Sequence, residues 1–277
     1  MKLCDFVIPA DIDEARARLR ELGDAAFPTA GGVSLHFLRF AEPKTAVDLT
    51  RLGLSGISRD NGRFTIGATT PVCDLQKHVA EGWVLDRVAR RFVTQQIRNI
   101  STLGGNICRV FWWSDFPVAL LALDASVAVR GESETVLSAE EFLARPLKLL
   151  KPGTLVVAID IPAVESGAGF GYGKETRVGS SFSLATAAAC VVVEGNRIKQ
   201  ARVAAGASLS MPQLLPAVGE KLAGETADRE AIEKAVATGT EGLAWKGREG
   251  MSDPYAAELS RIIIADAITD AVAEART

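Results

Sequence analysis

Two glycine pairs, each inside a segment with hydroxyl residues, constrain this chain more than any other feature. The first lies in Pro28–Leu35 (Pro-Thr-Ala-Gly-Gly-Val-Ser-Leu), and the second lies in Ile97–Asn106 (Ile-Arg-Asn-Ile-Ser-Thr-Leu-Gly-Gly-Asn). Paired glycines permit positive φ and close backbone approach, so consecutive N–H groups can point into one concavity that suits a pyrophosphate. Hydroxyls at Ser34, Ser101 and Thr102 would add donors. Two ordinary turns are the alternative, and neither segment matches the Rossmann or P-loop fingerprint.

Composition limits the classes of function. The chain has 277 residues, of which 48% are hydrophobic, enough for one large domain or two modest ones. A net charge of -3 gives no electrostatic reason to expect nucleic acid. The most apolar stretch, Leu184–Val193, is too short to cross a bilayer, and the N-terminal residues lack the pattern of a signal peptide. A cytoplasmic protein without a membrane span is expected.

The cysteines and histidines do not indicate a metal site. The four cysteines are scattered without the short spacing of zinc or iron–sulfur ligands, and buried reduced thiols are the favoured interpretation. The two histidines, His36 and His78, have no carboxylate or cysteine partner at motif spacing. The sequence therefore predicts no metal in this chain.

Local signals predict several helices. Asp11 is a helix cap, Glu14 completes a capping box, and Gly23 ends the helix. Helical spacing returns from Leu85 to Gln96. Ser138 with Glu141 forms another capping box. The pair Asp253-Pro254 predicts an N-cap followed by proline at the first position of a closing helix.

Strand patterns and glycine content predict two domains. Extended segments are expected at 26–30, 63–68 and 155–161, and hairpins pair 126–130 with 135–138 and 189–193 with 197–204. The segment 166–173 has four glycines and is interpreted as the boundary. We predict a domain at 1–165, with subdomains at about 1–55 and 56–165, and a smaller C-terminal domain at 166–277.

Three motifs together resemble a known family. They are Ala-Gly-Gly-x-x-Leu at 30–35, Gln-Ile-Arg-Asn-x-x-Thr-x-Gly-Gly-Asn at 96–106, and Ser-Asp-x-x-x-x-Leu-Leu-Ala-Leu-Asp-Ala at 114–125. The chain resembles the FAD-binding subunit of the xanthine dehydrogenase and carbon monoxide dehydrogenase family, over nearly its whole length. Further likeness lies in Ile66–Thr69, in Leu149–Gly153 before Ile159–Pro162, and in Gly206-Ala207.

The resemblance implies an α+β fold of the vanillyl-alcohol-oxidase-like (PCMH) type, in which two subdomains bind FAD and a smaller α+β domain follows. It assigns the main chain of the two glycine-rich segments to the pyrophosphate. The candidate cofactor-binding residues in these segments are Thr29, Ala30, Gly31, Gly32, Val33, Ser34, Leu35, Thr102, Gly104, Gly105 and Asn106.

Four further positions match cofactor contacts of the family. Asp115 would accept hydrogen bonds from FAD, although the sequence alone favours a helix cap there. Phe92 is equally well a core residue of its helix. Val156 and Lys174 would approach the flavin, where a cation stabilises electron density in the reduced form. A solvated lysine is the alternative for Lys174.

The chain departs from the family pattern in two places. The first motif continues with Val33-Ser34 where Thr-Asp is usual, so a side-chain contact there is in doubt while main-chain contacts survive. After Asn106 the chain has the aromatic run Phe111-Trp112-Trp113 instead of small residues. These rings either pack beneath the loop or meet the cofactor or a partner subunit.

The resemblance also implies partners and a role. A large molybdopterin subunit oxidises the substrate, and a small subunit with 2Fe-2S clusters passes electrons to the FAD of this chain. The FAD then reduces NAD, a quinone or another acceptor. The expected assembly is a heterotrimer or a dimer of heterotrimers, and no catalytic triad or general base is expected in this chain.

Two other functions remain open at this point. One is a self-sufficient flavin oxidoreductase of the same fold, in which a histidine tether would fall to His36 or His78. The other is a degenerate scaffold subunit without flavin, favoured by Val33 and the aromatic run. The sequence does not identify the substrate, because another chain would select it.

Overall fold

A computed structural model describes residues 3–37 and 41–277. The strands are β1 Leu3–Val7, β2 Ala26–Thr29, β3 Lys44–Asp48, β4 Ile57–Asp60, β5 Arg63–Gly67, β6 Ser126–Arg130, β7 Glu134–Ser138, β8 Leu155–Pro162, β9 Ala168–Thr176, β10 Ser183–Glu194, β11 Arg197–Gly206 and β12 Gln213–Leu214. The α-helices are α1 Ile12–Leu22, α2 Val72–Lys77, α3 Leu85–Arg91, α4 Gln95–Ile100, α5 Leu103–Cys108, α6 Asp115–Ala122, α7 Ala139–Ala144, α8 Pro146–Leu149, α9 Pro216–Leu222, α10 Arg229–Gly239 and α11 Asp253–Ala275. Short 3-10 helices cover Gly23–Ala25 and Val33–Phe37.

The N-terminal part is a three-stranded parallel sheet with the order β1-β3-β2. Helix α1 packs on it through Ala15 and Leu19, which share a small core with Val47, Leu49 and Leu155. Asp11 caps α1 as predicted, because its carboxylate accepts a hydrogen bond from the Glu14 N–H at 2.8 Å. The Glu14 carboxylate, however, accepts from the N–H of Ala10 and not from the cap residue, so the predicted capping box is displaced by one residue.

The middle of the chain forms a five-stranded sheet with the order β4-β5-β8-β6-β7. Its predicted hairpin is confirmed, because β6 and β7 pair antiparallel from Ser126 with Ser138 to Arg130 with Glu134. The capping box at Ser138 and Glu141 is also confirmed, and it begins α7 directly after β7.

The C-terminal part is an antiparallel sheet, β12-β11-β10-β9, covered by the long helix α11. The segment 166–173, interpreted from sequence as the domain boundary, contributes residues 168–173 to β9. A Cβ atom at Gly169 would lie 2.0 Å from the Ala271 carbonyl oxygen, and one at Gly171 would lie 1.8 Å from that of Ala267. The glycines therefore let the strand backbone lie directly against the helix backbone.

Two helix boundaries differ from prediction. The helix expected over 85–96 ends at Arg91, because Phe92 is extended and Val93 has a φ of +27°, and α4 begins after Thr94. The N-cap of α11 is Ser252 and not Asp253, which is the first helical residue. In both cases the helix is present and only its boundary residue differs from the prediction.

The chain divides into two compact units that are not continuous in sequence. The first unit contains residues 1–77, 94–110 and 125–161, and the second contains 78–93, 111–124 and 162–277. Helix α6 thus belongs with the C-terminal sheet, where its eight residues are all buried. The division of the chain at residue 165 into folding domains stays a prediction.

No helix in residues 3–37 and 41–277 is long and apolar enough to span a membrane. Over the same residues, no group of three or more His, Cys, Asp or Glu side chains is arranged to hold a metal ion.

Candidate functional site

The first glycine-rich segment begins at the end of strand β2 of the parallel sheet and continues into the 3-10 helix Val33–Phe37. Thr29 ends the strand, and its carbonyl oxygen accepts from the Leu49 N–H at 2.8 Å. Gly32 has a φ of +69°, and the Leu35 N–H donates to the Gly32 carbonyl at 3.1 Å. This left-handed residue turns the chain three residues after the strand end.

The first segment contacts the second through main-chain atoms. A Cβ atom at Gly31 would lie 1.6 Å from the carbonyl oxygen of Ile100 and 3.3 Å from the Cα of Ser101. Only a residue without a side chain fits there. The structure thus brings the two predicted glycine-rich segments together, although they are about seventy residues apart in sequence.

The second segment crosses from α4 to α5 and is held by main-chain hydrogen bonds. The N–H of Leu103 donates to Thr70, that of Gly104 to Ala68 and that of Asn106 to Thr102, at 2.8–3.1 Å. The Thr102 hydroxyl caps α5 by accepting from the Gly105 N–H at 3.1 Å. The main-chain donors at 103–106, on which the sequence prediction relied, are therefore already occupied within the protein.

Side-chain oxygens near this segment are, by contrast, unpaired. Thr69 Oγ1, Ser101 Oγ and Asn106 Oδ1 are buried and have no hydrogen-bond partner among the described residues. An unsatisfied buried polar atom costs about 1–3 kcal/mol, so such atoms are rare and call for a partner. Three of them beside two touching glycine loops fit a site for a polar group that binds there.

An apolar cavity of about 260 Å³ adjoins these loops in the first unit. Its wall includes Ala30, Gly104, Gly105 and Val156, all predicted cofactor residues, and also Thr69. Small-molecule sites typically have volumes of roughly 300–1,000 Å³, so this cavity suits one part of a dinucleotide and not the whole of it.

The thiol of Cys108 also lies at the wall of the cavity. Burial raises the pKa of this thiol to about 12, so it is neutral at physiological pH. The cavity wall therefore gains no charge from the cysteine. Sequence analysis predicted a buried reduced thiol at this position, but it did not connect the residue with the site.

Three predicted residues, Phe92, Asp115 and Lys174, lie in the second unit. Phe92 is buried after the end of α3, and its ring centroid lies 5.5 Å from that of Phe116. Asp115 is the first residue of α6 but is not its cap, since Ser114 occupies that position. Lys174 is 7% exposed, so the alternative of a solvated lysine is wrong.

Asp115 and Lys174 form a buried ion pair. The Lys174 Nζ donates to Asp115 Oδ2 at 2.9 Å. The other carboxylate oxygen, Oδ1, accepts from the Tyr172 hydroxyl at 2.7 Å and from the Ser183 hydroxyl at 3.3 Å. Burial first of all, and then the negative charge of Asp115, raises the pKa of Tyr172 well above its usual value, so the phenol keeps its proton.

Sequence analysis missed Tyr172 and Ser183. A signal for Tyr172 was present, because residues two apart on a strand share a face and Lys174 had already been selected. Ser183 had no such signal. Its register opposite Thr176 depends on the β9–β10 pairing, which only the folded sheet defines.

The aromatic run packs within the second unit. The ring of Trp113 lies between those of Phe111, at a centroid distance of 4.5 Å, and Phe182, at 4.4 Å. The Arg248 guanidinium lies 4.1 Å above the ring of Trp112. These contacts support packing between segments of the chain, which is one of the two roles considered from the sequence.

Comparison with known proteins first defines the class. Residues 2–164 match the family of FAD-binding domains in molybdopterin dehydrogenase, and residues 171–271 match the carbon monoxide dehydrogenase flavoprotein C-terminal domain. The predicted α+β fold, with an FAD-binding domain followed by a C-terminal domain, is confirmed. The chain is thus an oxidoreductase flavoprotein whose cofactor is FAD.

Individual relatives of this chain are subunits of the same class of enzyme. The carbon monoxide dehydrogenase medium chain of Afipia carboxidovorans is 28% identical over 282 residues, covering 98% of each protein. That of Hydrogenophaga pseudoflava is 30% identical over 242 residues, covering 83% of this chain and 84% of the relative. A carbon monoxide dehydrogenase structure from Hydrogenophaga pseudoflava superposes with a TM-score of 0.92 and 25% identity, over 99% of this chain and 98% of that chain. The chain belongs to the family of FAD-binding subunits of carbon monoxide dehydrogenase-type molybdenum hydroxylases.

Proposed function

We propose that this chain relays electrons within a molybdenum hydroxylase complex in the cytoplasm. It receives them from 2Fe-2S clusters of a small partner subunit and delivers them to NAD, a quinone or another acceptor, while a large molybdopterin subunit oxidises the substrate. Bound FAD exchanges electrons singly or in pairs, which suits this junction. The free cysteines among the described residues support a reducing compartment.

The observation that carries the FAD site is the contact of Gly31 with the main chain of Ile100 and Ser101. It joins two glycine-rich segments that were each selected from sequence as pyrophosphate-binding. We propose that the main chain of Thr29–Leu35 holds the diphosphate from one side. Within 102–106 the proposed contribution shifts from main-chain N–H groups to side chains, because the N–H groups of 103–106 already have acceptors.

The unpaired oxygens complete the proposed polar contacts. Ser101 and Asn106 flank the second glycine pair, and Thr69 lies at the wall of the cavity. A hydroxyl both donates and accepts, so Thr69 and Ser101 suit phosphate oxygens as well as ribose hydroxyls. The apolar cavity beside them, which includes Val156, suits a ring of the cofactor.

The residues of the second unit are proposed as additional cofactor contacts. The carboxylate of Asp115 accepts hydrogen bonds, and the ammonium of Lys174 supplies positive charge that favours the reduced flavin. Phe92 is the weakest of these candidates, because its contact with Phe116 already accounts for its burial.

Thr69 and Thr70 provide a matched test of the site. The Thr70 hydroxyl is fully used, accepting from the Gly56 N–H at 2.9 Å and donating to the Gly56 carbonyl at 3.0 Å, whereas that of Thr69 has no partner in the described structure. Thr69→Val should leave the stability of the apoprotein unchanged or raise it, and should weaken FAD binding about tenfold, the equivalent of one hydrogen bond. Thr70→Val should lower the stability of the apoprotein, because both hydrogen bonds to Gly56 are lost, and should leave FAD binding at the wild-type level.

The measurements are the urea midpoint of the apoprotein and the FAD dissociation constant from quenching of flavin fluorescence. Wild-type affinity in Thr69→Val, together with a loss of stability, would count against the site. A wild-type chain that takes up no FAD at all would refute the proposed function.

The relay role has a separate test. The chain purified from its native host with its partners should contain molybdenum, iron and FAD in the complex. The isolated chain should hold FAD and oxidise no organic substrate. Turnover of such a substrate by the isolated flavoprotein would instead support a self-sufficient oxidoreductase.

A further inference from the structure

We infer that Tyr172 and Ser183 are positioning residues, which act through Asp115 to hold the Lys174 ammonium in place beside the flavin. This inference rests on the proposed function, in which Asp115 and Lys174 contact FAD. Neither Tyr172 nor Ser183 is itself required to touch the cofactor.

The geometry divides the work between the two oxygens of one carboxylate. Oδ2 of Asp115 accepts from Lys174, and Oδ1 accepts from the two hydroxyls. All four side chains belong to residues that are at most 7% exposed. Tyr172 and Lys174 project from the same face of β9, and Ser183 begins the adjacent strand β10.

The main chain around the pair is also fixed. The guanidinium of Arg91, at the end of α3, donates to the carbonyl oxygen of Lys174 at 2.7 Å. Phe170 and Tyr172 face away from the glycines that pack on α11, since side chains alternate along a strand. The side of β9 that carries Lys174 is therefore held by α3, α6 and β10 together.

Hydrogen bonds to Oδ1 affect Lys174, because they fix the carboxylate whose other oxygen holds the Lys174 ammonium. A buried carboxylate is stabilised by every donor it accepts from, and its negative charge is shared among them. When the donor at 2.7 Å is removed, one hydrogen bond fewer fixes the carboxylate that holds the Lys174 ammonium. The ammonium is then held less firmly beside the flavin, so its stabilisation of the reduced flavin falls.

A purely structural role is the alternative. In that case the hydroxyls would only fasten α6 to β9 and β10, and their removal would lower stability without affecting the bound flavin. The reduction potential of FAD distinguishes the two roles, because hydroxyls that only stabilise the packing of α6 on β9 and β10 would not change that potential.

The experiment uses the full chain reconstituted with FAD, with Tyr172→Phe, Ser183→Ala and, as matched control, Tyr255→Phe. Tyr255 is the other tyrosine of the chain, and it is exposed. In Tyr172→Phe the preference for reduced over oxidised FAD should fall about three- to tenfold, which is roughly 15–30 mV for a two-electron couple. In Ser183→Ala the preference for reduced FAD should fall less, because the hydrogen bond from Ser183 to Asp115 is longer, at 3.3 Å. Ser183→Thr keeps the hydroxyl and should have the wild-type preference. Tyr255→Phe should also match the wild type.

A second comparison shows whether the effect passes through Lys174. In a Lys174→Met background, Tyr172→Phe should shift the potential no further, because coupled residues are not additive. Equal shifts in both backgrounds, or an unchanged potential with lowered stability in Tyr172→Phe and Ser183→Ala, would overturn the inference. If Tyr172→Phe does not fold, the Ser183 variants decide alone. Absence of FAD from the wild type would instead refute the proposed function and leave no potential to measure.

Discussion

Gly31 lies where a side chain of any size would meet the carbonyl oxygen of Ile100. The residue is thus needed for closeness and not for a left-handed conformation, which is the role of its neighbour Gly32. At the residue scale the proposed site depends on a few local features. Gly31 has no Cβ, the hydroxyl oxygen of Thr69 is unpaired in the described structure, and the carboxylate of Asp115 accepts from three side chains.

Gly31→Ala should separate the two glycine-rich segments. The added carbon cannot be accommodated at 1.6 Å, so the loops must shift, and overpacking of this kind costs about 1–3 kcal/mol. We expect a lower urea midpoint and FAD binding weakened at least tenfold. Gly179→Ala, where a Cβ meets nothing within 4 Å, is the control and should behave as wild type. Unchanged FAD affinity in Gly31→Ala would show that the contact is not needed.

The raised pKa of Tyr172 makes a pH prediction. The folded protein holds the phenol proton that the unfolded chain releases near pH 10, so this residue's contribution to stability is fully present below that pH and is lost as the pH rises further. The free energy of unfolding should therefore fall less steeply above pH 10 in Tyr172→Phe than in the wild type. Tyr255→Phe, at an exposed position, should keep the wild-type slope. Identical slopes in all three proteins would contradict the buried phenol.

At the scale of elements, β9 shows how a glycine pattern can be misinterpreted. From sequence, four glycines in eight residues indicate a boundary between domains, and the strand itself is not predicted. In the structure three of them, Gly169, Gly171 and Gly173, lie in β9 on the face toward α11, where the absence of a side chain lets the strand backbone approach the helix backbone. The same alternation places Phe170, Tyr172 and Lys174 on the opposite face.

Gly171→Ala should test this packing at a residue that is not itself a proposed FAD contact. A Cβ would lie 1.8 Å from the Ala267 carbonyl, so β9 and α11 must move apart, and we expect a loss of about 1–3 kcal/mol in the free energy of unfolding. Chemical denaturation followed by circular dichroism measures it. A variant as stable as Gly179→Ala would show that the strand and helix separate at no cost.

Across the whole molecule, the units are assembled from separate stretches of chain. Helix α6, although it comes well before the C-terminal sheet in sequence, packs against β10 and β11 in the second unit. A sequence can be divided only at points along the chain, so a discontinuous unit is invisible to composition and periodicity. The aromatic run before α6 also packs against a distant part of the sequence, because the ring of Trp113 contacts that of Phe182.

A fragment of residues 166–277 should therefore fold poorly. It retains the C-terminal sheet and α11 but lacks α6, so the apolar side chains that α6 covers would be exposed to water. We expect aggregation, or a state with secondary structure but no cooperative unfolding transition. Adding a peptide of residues 111–124 should restore part of the cooperativity, and a scrambled peptide should not. A cooperative monomer from the fragment alone would show that α6 is dispensable.

The sequence by itself determined the features that depend on neighbouring residues. These are the caps at Asp11 and Ser138, the paired strands around short turns, and the glycine pairs from which the α+β flavoprotein family could be inferred. Local hydrogen bonds and turn geometry decide them, and both are encoded within a few residues. Only the tertiary structure decided that Gly31 touches Ile100, that β9 is a strand, and that Tyr172 and Ser183 share the carboxylate of Asp115. Those outcomes depend on packing between segments distant in the chain, for which no local pattern exists.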